Sequence, residues 1–300
     1  MYNKMLVLLD GSKLAEVVFT YAQELSARLN LSLDLLHVCD SHEAEQLPMR
    51  QAYIEHMAEI LQNKAAEIRS KIGGTTQGKG VQAQGKIVVG YPAEEILKYA
   101  DENNIDLIML STHGRSGIRI WDLGSVAEKV IHAAKVPIWL VPSELKEEII
   151  WDKLPKRTIV IPLDGSKLSE IAIPHAINIA KQRGAQAEIV LVHVESYTRY
   201  DMTFTKSQLK QIEDARLSMK KYLDEQVQRI GKEGITARVE MSIGDTPSAF
   251  IDFLKNNPAQ LIVMATRGDV GIKGMMFDGV AEQIVRMVKK TPILIANPSE

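Results

Sequence analysis

Two acidic turns and two glycine-bearing loops are the places in this 300-residue chain where residue type and spacing could do chemistry. The turns read LLDGSKLAE at 8–16 and PLDGSKLSE at 162–170, identical at seven of nine positions. Asp10 and Asp164 could act as general bases or magnesium ligands, but Asp-Gly-Ser ahead of a helix more commonly closes an Asx turn. The first glycine loop lies in STHGRSGIRIWDLGSVAEKVI (111–131), where Gly114 and Gly117 occupy the loop and Gly124-Ser125 opens a helix. That is the logic of an anion cradle. Glycines let backbone N–H groups approach phosphate oxygens, and the free N–H groups at a helix start favour negative charge. Ser125 can donate its hydroxyl to the same oxygens or simply cap the helix. Two loop glycines alone would more often mark an ordinary turn. A Walker A loop is absent, and the first strand is followed by DGSK instead of a dinucleotide fingerprint.

Other reactive types have plainer readings. His37 and His193 end matched strands without Cys or paired carboxylates at ligand spacing, so they read as structural and no metal site is expected. His113 and Arg267 share one loop position, which argues against a common acid or base. Cys39 reads as a buried or half-buried thiol, and Ser12 and Ser166 as N-caps. Met275-Met276-Phe277 suit core packing better than an interaction patch.

These residues sit in a duplicated frame. LLHV (35–38) returns as LVHV (191–194), VVGYPAEEIL (88–97) as SIGDTPSAFI (242–251), and DLIMLSTHGRSGIRI (106–120) as QLIVMATRGDVGIKG (260–274). VAEKVI (126–131) returns as VAEQIV, and VPIWLVP (136–142) as TPILIANP (291–298). Blocks recurring in one order mean a duplicated domain. Within each copy, short Val/Ile/Leu runs alternate with amphipathic stretches at 13–29, 49–72, 92–103 and 124–135, and a long helix is expected at about 205–232. The pattern gives βαβ units: an α/β fold of two tandem open five-stranded parallel sheets with helices on both faces. The domains are expected at 1–142 and 157–300. SELKEEIIWDKLPK (143–156) joins them, too charged and punctuated to be core. Ligands of such sheets bind beyond the carboxyl ends of the strands, which directs attention to Asp10, Val38, Ser111–Gly117 and their copies.

Composition narrows the function. The net charge is −2, with −5 on residues 1–150 and +3 on 151–300, so no basic field attracts nucleic acid. One cysteine excludes an intrachain disulfide, and neither a signal peptide nor a run of ~18–20 apolar residues is evident. A cytoplasmic protein with no membrane partner is expected.

The strand-1 Asp, the HV closing strand 2 and the Gly-x9-Gly-[Ser/Thr] after strand 4 together resemble the universal stress protein (UspA) family, in its tandem form. The resemblance covers essentially both halves. It implies a Rossmann-like, adenine-nucleotide alpha-hydrolase-like fold and ATP as ligand, any Mg2+ being carried by the phosphates. The family motif Gly-x2-Gly-x9-Gly-[Ser/Thr] reads Ser111-x2-Gly114-x9-Gly124-Ser125 in the first copy, with Ser for the leading Gly. By position, Asp10 and Val38 would meet adenosine, Leu8 stands where relatives often have Pro, and Leu110 and Ser111 would border the nucleotide. Gly114, Gly117, Gly124, Ser125 and Val126 would serve the phosphate end, with Arg115 as a nearby cation or a solvated loop charge.

The second copy keeps Pro162, Asp164 and Val194 at the adenosine side, with Met264 and Val280 at matching positions. Its motif, however, reads Ala265-x2-Gly268-x9-Asp278-Gly279. A carboxylate ~4 Å from a phosphate charge costs about 4 kcal/mol at an effective dielectric near 20, before screening. A one-residue slip placing Gly279 at the phosphate position would soften this, and a metal bridging Asp278 to phosphate would reverse it. The expectation is therefore a stress-response protein that binds ATP chiefly in its first domain and acts through conformation or partners. No complete nucleophile–base–cation set is present, so any hydrolysis would be weak. The alternatives are a dimerising scaffold that binds no nucleotide and, less favoured, a slow ATPase. Ligase and pyrophosphatase motifs (S-G-G-x-D-S, H-I-G-H) are absent. The last strands of the two copies would pair as a pseudo-dimer within one chain, leaving a homodimer open.

Overall fold

The computed structural model describes residues 2–39, 46–71, 81–112, 123–142, 144–184, 186–196, 205–266 and 279–297. The first half runs β1 (Lys4–Leu8), α1 (Lys13–Leu29), β2 (Ser32–Cys39), α2 (Leu47–Lys71), β3 (Ala83–Val89), α3 (Pro92–Glu102), β4 (Leu107–Ser111), α4 (Ser125–Ala133) and β5 (Ile138–Val141). After α5 (Glu147–Ile150) the order repeats: β6 (Arg157–Pro162), α6 (Lys167–Glu170), α7 (Ala172–Arg183), β7 (Ala187–Ser196), α8 (Lys206–Lys232) and β8 (Thr236–Gly244). It closes with α9 (Thr246–Asn256), β9 (Leu261–Ala265), α10 (Val280–Met287) and β10 (Ile293–Ala296).

Each half is a five-stranded parallel sheet of order 3-2-1-4-5, and the two form one sheet, β3-β2-β1-β4-β5-β10-β9-β6-β7-β8. The join is the one antiparallel pair among the described residues, with Ile293 opposite Leu140, Leu294 opposite Trp139 and Ile295 opposite Ile138. Trp139 and Leu294 hold matching places in the repeat, so a local twofold passes between them. The last strands pair as expected. Alternating side chains divide the interior into two layers. Met5, Val7, Leu33 and Leu35 face α1, α2, α7 and α8, while Leu6, Leu36, Ile108 and Leu110 face α3, α4, α9 and α10.

The halves differ in ways the residues explain. The single helix α1 has as its counterpart two segments, α6 and α7, because Pro174 lacks an N–H and its ring meets the carbonyl four residues back, Glu170, where α6 ends. Segment 143–156, expected to stay out of the core, is corrected in part. Ile149 and Ile150 of α5 are 3% and 9% exposed and belong to the layer under α1 and α7. Its charged residues face outward around them, with one exception: the side chain of Asp152 is only 2% exposed.

Candidate functional site

The strand order switches between β1 and β4, neighbours through Met5–Leu107, Leu6–Ile108 and Val7–Met109. Their carboxyl ends bring together Leu8, Asp10, Leu110 and Ser111, with Val38 at the end of β2 alongside. The second half repeats the arrangement with Pro162, Asp164, Met264, Ala265 and Val194. Leu110 and Met264 are buried at 4% and 3% exposure, whereas Leu8, Val38 and Val194 are half-buried.

The acidic turns are built alike. Asp10 Oδ1 accepts from the Ser12 N–H at 2.9 Å, Asp164 Oδ1 accepts from the Ser166 N–H at 2.9 Å, and Gly11 and Gly165 take φ of 76° and 84°. Positive φ at both explains why glycine follows the aspartate in each copy. The Asx turn is thus present twice. Burial works to raise the Asp164 carboxyl, but hydrogen bonds from Ser166 and Ser169 outweigh it, and its pKa falls below the ordinary carboxylate value. Ser166 caps α6, its Oγ accepting from the Ser169 N–H at 3.1 Å.

His37 and His193 clip β2 and β7 to those turns. His37 Nδ1 lies 2.6 Å from the Leu9 carbonyl and His193 Nδ1 lies 2.8 Å from the Leu163 carbonyl. In the first half Arg50 of α2 reaches His37 Nε2 at 3.0 Å and Cys39 Sγ at 3.7 Å. A guanidinium can only donate, so Nε2 accepts and Nδ1–H donates to Leu9: a neutral, structural histidine. Cys39 is fully buried. Sequence reasoning missed Arg50, whose approach depends on how α2 docks.

It also missed Thr112, whose signal was the Thr shared by STHG and ATRG. Thr112 and Thr266 are buried at 5% and 4% exposure. The Thr112 N–H donates to the Val141 carbonyl at 3.0 Å, and the Thr112 carbonyl accepts from the Gly124 N–H at 3.1 Å. The glycine loop therefore leaves β4 and enters α4 at one clasped point. Gly124 is the N-cap of α4 (φ −62°, ψ 142°) and supplies no side-chain cap bond to the first-turn N–H groups. Ser125 is exposed and Val126 half-buried beside it. Such a helix start can hold an anion.

In the second half Gly279 is the N-cap of α10 and the exposed Val280 its first residue. The helices end at matched residues, Ala134 and Val288, so α10 begins one residue later than α4. Gly279 thus fills the cap place of Gly124 by a one-residue slip, and no hydroxyl follows it. Gly114, Arg115, Gly117, Gly268 and Asp278, together with His113, Arg267 and Met275–Phe277, lie outside the described residues. No helix among the described residues is long and apolar enough to cross a membrane.

Comparison with known proteins agrees with the duplicated organisation. The universal stress protein family model matches residues 1–142 and again residues 156–296. Universal stress protein MJ0531 of Methanocaldococcus jannaschii is 29% identical over 147 residues, 49% of this chain and 86% of its own. Universal stress protein Rv2005c of Mycobacterium tuberculosis is 23% identical over 300 residues, 97% of this chain and 95% of its own. A universal stress protein from Archaeoglobus fulgidus matches in fold with TM-score 0.68 at 21% identity, over 99% of both chains.

Proposed function

Because this chain belongs to the universal stress protein family, we propose that it binds an adenine nucleotide, ATP, at the strand ends of its first domain and acts through conformation or partner binding. One observation carries the reading. The Thr112–Gly124 clasp ties the glycine-capped N-terminus of α4 to the end of β4, at the β1–β4 switch whose strand ends also carry the Asp10 turn. Adenosine would meet Asp10, Val38 and Leu110. Phosphates would meet the first-turn N–H groups of α4, the Ser125 hydroxyl and the glycine loop, which contributes Gly114, Gly117 and Arg115. Any Mg2+ would arrive on the phosphates. The second domain keeps the turn and the strand ends, but Val280 replaces a hydroxyl donor and Asp278 precedes the cap, so its affinity is weaker or lost. We take the domains as 1–142 and 157–300, with the packed segment 143–156 between them. Mass analysis of nucleotide released from gently purified protein tests the reading. The expected result is about one adenine nucleotide per chain; its absence, with no thermal shift on adding ATP, favours the scaffold alternative instead.

A further inference from the structure

One residue of the first domain breaks a local rule that its counterpart in the second domain keeps. The repeated blocks VVGYPAEEIL and SIGDTPSAFI set Tyr91 against Asp245. The backbone enters the two helices alike. Gly90 and Gly244 take φ of 157° and 158°, and the N-caps that follow are both extended, Tyr91 at φ −76°, ψ 120° and Asp245 at φ −67°, ψ 119°. Asp245 uses the position as helix starts prefer, its carboxylate accepting from the Ser248 N–H at 3.2 Å and from the Ser248 hydroxyl at 2.6 Å. Tyr91 makes no side-chain cap bond and is 77% exposed, the most exposed large apolar side chain among the described residues. Neither helix capping nor burial accounts for a tyrosine here.

Its place in the fold suggests another use. Val38 and Cys39 of β2 pair with Val88 and Val89 of β3, and the Gly90 N–H donates to the Cys39 carbonyl at 3.0 Å. Tyr91 is the next residue, so a single hydrogen bond ties the start of α3 to the end of β2, where Val38 would meet adenosine. Helix α3 packs against β2 and against α4, whose N-terminus carries Gly124 and Ser125. Leu8, Val38, Val88 and Val126 all pack against the layer that α3 and α4 cover. Adenosine resting on Leu8 and Val38 therefore lies on the side of the sheet where α3 begins, with Tyr91 at its rim.

We propose that Tyr91 is the aromatic wall of the nucleotide site, its ring stacking on the base that the strand ends hold from the other side. The assignment rests on the nucleotide reading above and adds a base-binding group to it. A tyrosine ring suits the task, because every base presents a π-face and stacking buries that face away from water. The same exchange accounts for the second domain. Asp245 supplies the cap and no ring, in the copy where Val280 stands in place of the hydroxyl donor. The domain with Ser125 at its phosphate end has a ring at its base end, and the other domain has neither.

Calorimetric titration of ATP into the full-length chain, with thermal midpoints read on the same samples, tests the assignment. Tyr91→Asn installs an uncharged cap residue. It is expected to raise the midpoint while weakening ATP binding about tenfold or more. Tyr91→Phe keeps the ring and is expected to give back the affinity lost in Tyr91→Asn. An Asn variant that binds ATP as tightly as wild type, or a Phe variant as weak as the Asn variant, overturns the assignment and leaves the nucleotide site standing. Weaker binding accompanied by a lower midpoint marks a structural role and overturns it too. A wild type that binds no ATP overturns the nucleotide reading itself, and the assignment falls with it.

Discussion

The carboxylate of Asp152 lies 3.1 Å from the guanidinium of Arg28, tying the connector to α1 of the first domain. The same carboxylate meets Arg157 at 2.9 Å and Arg183 at 3.2 Å in the second, from a left-handed backbone at φ 52°. One acidic side chain thus answers three arginines drawn from both domains. Asp152→Asn keeps a residue tolerant of that backbone and removes the charge, leaving Arg183 buried without its partner. A loss of about 3–5 kcal/mol is expected in denaturant unfolding. A change under 1 kcal/mol would show that the cluster does not hold the domains together.

Gly85 must stay small for α2 to lie on β3. Gly85→Val, which copies the residue of the second domain, is expected to cost about 1–3 kcal/mol and to expose the buried face of α2. Val239→Gly brings nothing closer to α8 and gives up only strand preference and the packing of a half-buried side chain, about 1–2 kcal/mol, without lifting the helix. An α2 whose buried face stays covered in Gly85→Val would contradict the difference in docking.

The helices after β3 and β8 reverse a capping rule between them. Asp245 caps α9 by accepting from the Ser248 N–H at 3.2 Å, whereas Tyr91 stands at the N-cap of α3 with no side-chain cap bond and is 77% exposed. Asp245→Ala is expected to destabilise by about 1 kcal/mol and Tyr91→Asp to stabilise by a similar amount, both read as shifts in thermal midpoint.

Tyr2 and His175 also link the domains, Oη to Nδ1 at 2.6 Å. Burial holds the His175 pKa below its ordinary 6.5. The unfolded chain therefore binds more protons than the folded one in this window, and stability is fully present above 6.5 and declines as pH falls toward the folded value. Urea midpoints measured from pH 7.5 to 5.5 should fall more steeply in wild type than in His175→Gln, by up to about 1.4 kcal/mol per pH unit for one proton. Identical slopes would remove His175 as a source of acid sensitivity.

Much of this architecture is legible in the chain because burial on both faces of a parallel sheet demands uniform Val/Ile/Leu runs, and the duplicated blocks expose them twice. The Asx turns were legible too, since Asp-Gly-Ser closes them locally. What sequence could not show depends on distant packing. Ile149 and Ile150 are hidden among charges, and nothing local says they reach the core. Arg50 meets His37 only because α2 docks closely over Gly85, a glycine that reads in sequence as one more strand residue. The delayed start of α10 hinges on whether Asp278 or Gly279 takes the cap, a choice that spacing alone left open.

The central claim is an asymmetric pair of sites, and titration calorimetry of ATP into the full-length chain tests it most directly. The account predicts one tight site per chain, abolished by Gly124→Asp and unaffected by Gly279→Asp. Two equivalent tight sites, or a single site that survives Gly124→Asp, would contradict it.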